Sequence, residues 1–169
     1  MHLAGTVDRR SAPSARPTGS IALMEHAEGS ILIEAPIDDV VEVIEDYEAY
    51  PEWADVRSAD VRERGEGGRP TEVAFEVDVP VLGKASYTLR YRYAPGDTAI
   101  SWDSTDAHGA VRDVRGEYLL DEVDPDTTQV TYRLAVELGP LVPGFIRTEG
   151  ARRVIENALE RLKRRVEMG

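Results

Sequence analysis

The chain contains no cysteine, which excludes disulfide frameworks, thiolate metal centres and thiol nucleophiles. Histidine is scarce, and His2, His26 and His108 lie too far apart in sequence to show a metal-ligand spacing. Positive charge is in deficit: 20 basic against 32 acidic side chains give a formal charge of −12 over 169 residues. Phosphate contacts need lysine and arginine surfaces, so no nucleic-acid partner is expected, and anionic headgroups are disfavoured for the same reason. No run of about 18 apolar residues occurs, so no transmembrane segment is expected. Nucleotide-binding glycine loops and G-x-S-x-G are missing as well. Neither a metal nor a cofactor is expected, and the lack of cysteine fits a cytoplasmic chain. Aromatics make up only 7%, with two Phe and two Trp.

What is present reads as one domain. Residues 1–19 hold Gly, Ser, Pro, Ala and Arg with few large apolar groups, the composition of a disordered tail. Residues 20–169 are expected to form a single domain. Ile31 to Ile33 read as a strand, and Pro36 followed by Asp38-Asp39 starts a helix with apolar positions at Ile37, Val40, Val41 and Ile44. A second short helical turn is expected around Tyr50 to Trp53. Strict alternation then marks strands at Val73–Val79 and Tyr87–Tyr93, each with one apolar and one polar side. Further strands are expected at Val56–Arg64, Ala99–Ser104, Ala110–Val123 and Thr128–Leu138. After Gly144 a long helix carries Ala151, Val154, Ile155, Ala158, Leu159, Leu162 and Val166 on one side.

The order predicts an α+β helix-grip fold: a curved seven-stranded antiparallel sheet wrapped on the C-terminal helix, with two short helices between the first two strands. Seven strands make a sheet about 30 Å wide, whereas one helix is about 10–12 Å across. One helix therefore shields about a third of the apolar face, and the rest must curl, dimerise or enclose a space. Many inward positions are Val, Ala or Leu, which fill a wide concavity poorly. That predicts a ligand cavity between sheet and helix.

Ile33-Glu34-Ala35-Pro36, Tyr50-Pro51-Glu52-Trp53, Gly116-Glu117-Tyr118-Leu119-Leu120 and Leu138-Gly139-Pro140 through Phe145 resemble the polyketide cyclase/dehydrase and lipid-transport family of the START-like superfamily. The resemblance implies a small hydrophobic ligand, such as a lipid, an isoprenoid quinone or a polyketide-like molecule. It leaves open an aromatase/cyclase or dehydrase, and a protein-interaction module like the ribosome-association relatives. The expected sheet-side ligand contacts are Phe75, Val77, Tyr87, Leu89, Tyr91, Trp102, Tyr118 and Tyr132. Phe145, Ile146, Ile155 and Leu159 are expected from the helix, with Pro140 and Gly144 flanking a hinge. If the even positions of the sixth strand face inward, Arg112 is a rim cation for a ligand carboxylate or carbonyl. His108, in the loop expected before that strand, is a weaker candidate base. No residue set carries a catalytic signature, and the oligomeric state is not legible.

Overall fold

In the computed structural model, residues 24–79, 82–139 and 144–169 are described, with side chains from Glu149 onward in the last stretch. The expected tail, Pro140 and the side chains of Phe145 and Ile146 lie outside the described set. The first strand, β1, is Met24–Ile33. It leads into α1 (Ile37–Glu45), a 3-10 turn at Tyr47–Ala49 and the short α2 (Tyr50–Trp53). Strands β2 (Ser58–Arg64), β3 (Pro70–Val79), β4 (Gly83–Tyr93), β5 (Ala99–Gly109), β6 (Val111–Asp124) and β7 (Thr127–Leu138) follow, and α3 (Gly144–Met168) ends the chain.

The strands form one antiparallel sheet in the order β1-β7-β6-β5-β4-β3-β2. Every connection between consecutive strands except that from β1 to β2, which crosses to the opposite edge, joins neighbours. Period-2 alternation puts one set of side chains on the concave side, and the register keeps them in rows. One row runs Tyr91, Trp102, Gly116, Leu134 and Ala27; another runs Tyr93, Ile100, Tyr118, Tyr132 and Gly29.

Pro36 precedes α1 with φ −61°, and Asp38 and Asp39 occupy the first turn, where acidic groups complement the helix dipole. Val40, Val41 and Ile44 are buried against the sheet. Among the described residues, α3 packs on β1 and β7 and touches α1 and α2. Its buried line is Ala151, Ile155, Leu159 and Leu162. Val154, expected on that face, is 49% exposed, because the stripe steps from Ala151 to Ile155 and bypasses it.

Gly29 permits this packing. A Cβ at Gly29 would sit 2.8 Å from Ile155 Cγ2 and 3.4 Å from Leu159 Cδ1, so a side chain there would force Ile155 to shift. The helix also closes the end of β1. Lys163 Nζ donates to the Leu32 carbonyl at 2.7 Å, and the Glu34 N–H donates to Glu167 Oε2 at 2.8 Å. Nearby, Thr128 Oγ1 donates to the Ala35 carbonyl at 2.9 Å.

Candidate functional site

Away from α3, the concave face is lined by rings. Starting from the short helices, Tyr47 lies 5.3 Å from Tyr50 and 4.4 Å from Tyr91 between ring centroids. The series continues from Tyr91 to Trp102 at 5.8 Å, from Trp102 to Tyr118 at 5.2 Å, and from Tyr118 to Tyr132 at 4.8 Å. A side branch joins Tyr50 to Phe75 at 6.0 Å and Phe75 to Tyr87 at 5.9 Å. All are tilted contacts, within the range of about 4.5–7 Å between centroids of interacting aromatic pairs or just below it.

Trp102 occupies the centre because its neighbour in the row is Gly116. A Cβ there would lie 2.6 Å from the indole Cζ2. The expectation of small aliphatic lining is thus corrected. Aromatics are few over the whole chain, but alternation sends the seven that lie on the described strands to one side of the sheet. An average over the sequence could not show that concentration.

The hydroxyls fall into two classes. Tyr50 donates to the Ile44 carbonyl at 2.7 Å, and Tyr93 donates to the Pro70 carbonyl at 2.6 Å while lying 3.0 Å from the Tyr47 hydroxyl. The hydroxyls of Tyr87, Tyr91, Tyr118 and Tyr132 have no hydrogen-bond partner among the described residues. Burial pushes the Tyr87 phenol up to about 12. It raises Tyr118 too, and Tyr91 and Tyr132 well above the ordinary value, with further upward pressure on Tyr132 from Tyr118 and Tyr87. At neutral pH all four are protonated donors.

These oxygens are withdrawn from bulk water yet not sealed. Tyr91, Tyr118 and Tyr132 keep 7%, 8% and 9% of their surface accessible. Among the described residues, the fully enclosed side-chain oxygen without a hydrogen bond is Asp103 Oδ1 on the outer face, which lies 2.8 Å from Arg92 Nη1.

Of the residues expected from sequence, Phe75, Leu89, Tyr91, Trp102, Tyr118 and Tyr132 are buried on the concave face, and Tyr87 and Val77 are part-buried beside them. Ile155 and Leu159 are buried on the facing side of α3, over β1. Arg112 is not with them: it is exposed. A register shift between Val111 and Asp113 inserts one extra residue opposite β7, so Val111 turns inward and Arg112 outward. His108 lies in β5 rather than a loop, paired with Ser86, and is exposed.

Tyr47 and Tyr50 were not among the expected contacts, although Tyr47, Tyr50 and Trp53 recur every three residues, which is a helical spacing. The inward neighbours of Trp102 are phenols and aliphatic groups, with no carboxylate or imidazole among Tyr91, Tyr118, Tyr132 and Leu134. Among the described residues, no cluster of His, Asp and Glu could hold a metal ion, and no helix is long and apolar enough to cross a membrane.

The outside of the grip carries two open hollows. One, of about 490 Å³, lies on the convex face among Arg92, Asp103, Arg115, Glu117 and Arg133. There Arg133 bridges Glu28 at 3.0 Å and Glu117 at 3.1 Å. The other, of about 650 Å³, lies between α1 and the β2–β3 turn, with Tyr47, Arg69 and Pro70 in its lining.

Known structures share this architecture. A START superfamily protein from Mycobacterium smegmatis superposes with a TM-score of 0.76 at 21% identity, over 85% of this chain and 97% of that one. The Zhui aromatase/cyclase from a Streptomyces species gives 0.65 at 21% identity, over 85% and 94%. A STAR-related lipid transfer protein from Xanthomonas axonopodis gives 0.63 at 23% identity, over 84% and 85%. At these identities the likeness establishes the fold alone. No curated protein shows a significant match. The family described as polyketide cyclase / dehydrase and lipid transport matches residues 24–167. With its curved sheet, gripped helix and ring-lined concave face, this chain belongs to that family.

Proposed function

We propose that the chain binds a small, neutral, ring-containing hydrophobic molecule with hydrogen-bond acceptors, such as a quinone or polyketide-like compound, on the ring-lined part of its concave face. The observation that carries this reading is the set of four phenols without partners. These hydroxyls keep access to water, so one that donates to a ligand oxygen exchanges a water bond for a protein–ligand bond, a net gain of about 0.5–1.5 kcal/mol. Stacking on Tyr91, Trp102 and Tyr118 adds apolar burial at about 25 cal/mol per Å² before ordering costs.

A fatty acid fits less well. Its carboxylate would need a cation, and the one expected at the rim, Arg112, faces outward. Burying an unpaired carboxylate costs several kcal/mol. Native mass spectrometry of the purified protein tests the reading: one equivalent of a hydroxyanthraquinone is retained, and decanoate is not. Failure to retain any member of a broad panel of neutral ring compounds overturns it.

An aromatase/cyclase is the second reading, favoured by the same protonated phenols, which could polarise a ligand carbonyl. It lacks a base among the inward neighbours of Trp102. Turnover of a poly-β-ketone that is slowed by Tyr118→Phe would support it, and binding without turnover leaves the carrier.

A further inference from the structure

The 650 Å³ outer groove and the ring-lined concave face share a wall, and one arginine outside the concavity holds it. Arg69 grips Glu45 of α1 with two parallel hydrogen bonds, Nε to Oε1 at 2.9 Å and Nη2 to Oε2 at 2.7 Å. Nη2 also donates to Asp97 Oδ1 at 2.6 Å. The guanidinium carbon lies 3.9 Å from the centroid of the Tyr93 ring, a stacked cation–π contact. Asp97 itself has φ +58°, a left-handed conformation that Asp tolerates and that the ion pair anchors.

Tyr93 carries the constraint inward. Its single hydroxyl proton goes to the Pro70 carbonyl at 2.6 Å, so the 3.0 Å contact with Tyr47 must have the Tyr47 hydroxyl as donor. Tyr47 is 1% exposed and contacts Tyr91 at 4.4 Å, Tyr50 at 5.3 Å and Phe75 at 6.5 Å. Three short links therefore run from the groove to the wall: guanidinium on ring, hydroxyl to hydroxyl, and ring on ring.

We propose that Arg69 is a positioning residue for the ring-lined face: through Tyr93 and Tyr47 it sets the place of Tyr91, and so the fit of flat ligands, without touching them. The inference rests on the ligand-binding reading above and adds a control point on a different surface. Lysine cannot substitute, because an ammonium offers neither the planar stack nor the fork that joins Glu45 and Asp97 at once.

The test is a double-mutant cycle read with two probes, a hydroxyanthraquinone and 1-decanol. Arg69→Met removes the outer link, and Tyr47→Phe keeps the inner ring but loses its hydroxyl. Each single change weakens the hydroxyanthraquinone about tenfold, leaves 1-decanol within about twofold, and the double change is no worse than either. Arg69→Lys gives no rescue. Should Arg69→Met fail to fold, Tyr93→Phe takes its place in the cycle, since it retains the stack and loses the hydroxyl that links to Tyr47 and donates to the Pro70 carbonyl.

Equal weakening of both probes, or effects that multiply, overturns the relay while leaving the ligand site intact. A wild-type protein that binds neither probe removes the ligand site, and the relay with it.

Discussion

The two halves of the concave face are built from the same alternating pattern but are finished differently. Over β1 and β7 the cover is a helix in contact with backbone: Gly29 lets Ile155 and Leu159 settle onto the strand, and Leu162 is wholly buried. Over β3 to β6, and reaching Tyr132 on β7, the cover is a set of tilted rings, four of them ending in hydroxyls with no hydrogen-bond partner among the described residues. The first half is completed by its own atoms. The second retains hydrogen-bonding capacity that the described residues leave unmet, shared with the first only at Tyr132 on their border. On the proposed reading, stability and binding fall to different halves of one sheet face.

Substitutions should separate the two. Ile155→Ala, in the packed half, is expected to cost about 2–5 kcal/mol of unfolding free energy in a denaturant titration, as a buried truncation that leaves a cavity. Its effect on hydroxyanthraquinone affinity should be minor. Gly29→Val should cost about 1–3 kcal/mol through overpacking against Ile155. A neutral result there would mean that helix and strand are not in close contact.

Alkaline titration addresses the ring-lined half. The folded-state pKa of Tyr87 is about 12 against 10.0 for a free phenol, and Tyr91, Tyr118 and Tyr132 move in the same direction. A group with a raised folded pKa contributes stability that is complete below the unfolded pKa and lost as pH rises through the folded one. Stability should therefore hold up to about pH 10 and fall towards pH 12. Phenolate absorbance should appear together with unfolding, and full ionisation in the native state below pH 11 would contradict the burial.

Smaller effects complete the comparison. Tyr118→Phe should change stability by no more than about 0.5 kcal/mol, because no protein partner is orphaned, while weakening a carbonyl-bearing ligand severalfold. A large loss of stability would show that the hydroxyl had a structural role. Arg112→Ala should alter neither property measurably, within about 0.5 kcal/mol, because the side chain is exposed at a bulge.

The fold was legible because its signals are local. Alternation from Val73 to Val79 and from Tyr87 to Tyr93, Pro36 with two aspartates, and the long terminal stripe each specify an element within a dozen residues. Most of the ring-lined face was legible for the same reason: once β4 is a strand, Tyr87, Leu89 and Tyr91 must share a side.

What escaped depends on events a sequence does not display. One inserted residue near Val111 reverses the parity that had placed Arg112 inside. Strand β5 runs to Gly109, beyond the expected Ser104, because its polar, exposed tip pairs with β4 without an apolar pattern to mark it. The Arg69 cluster joins partners 24 and 28 positions away, and nothing in the local pattern ties an arginine in a turn to a tyrosine inside the grip.

The most direct test uses Trp102, which sits at the centre of the ring-lined half. In a Trp53→Phe background, its fluorescence is followed while a hydroxyanthraquinone is added, with decanoate as competitor. Saturable quenching at one equivalent, unaffected by decanoate, is the predicted result. Absence of saturable quenching by any neutral ring compound, or displacement by decanoate at comparable concentration, would contradict a concave face built for neutral flat ligands.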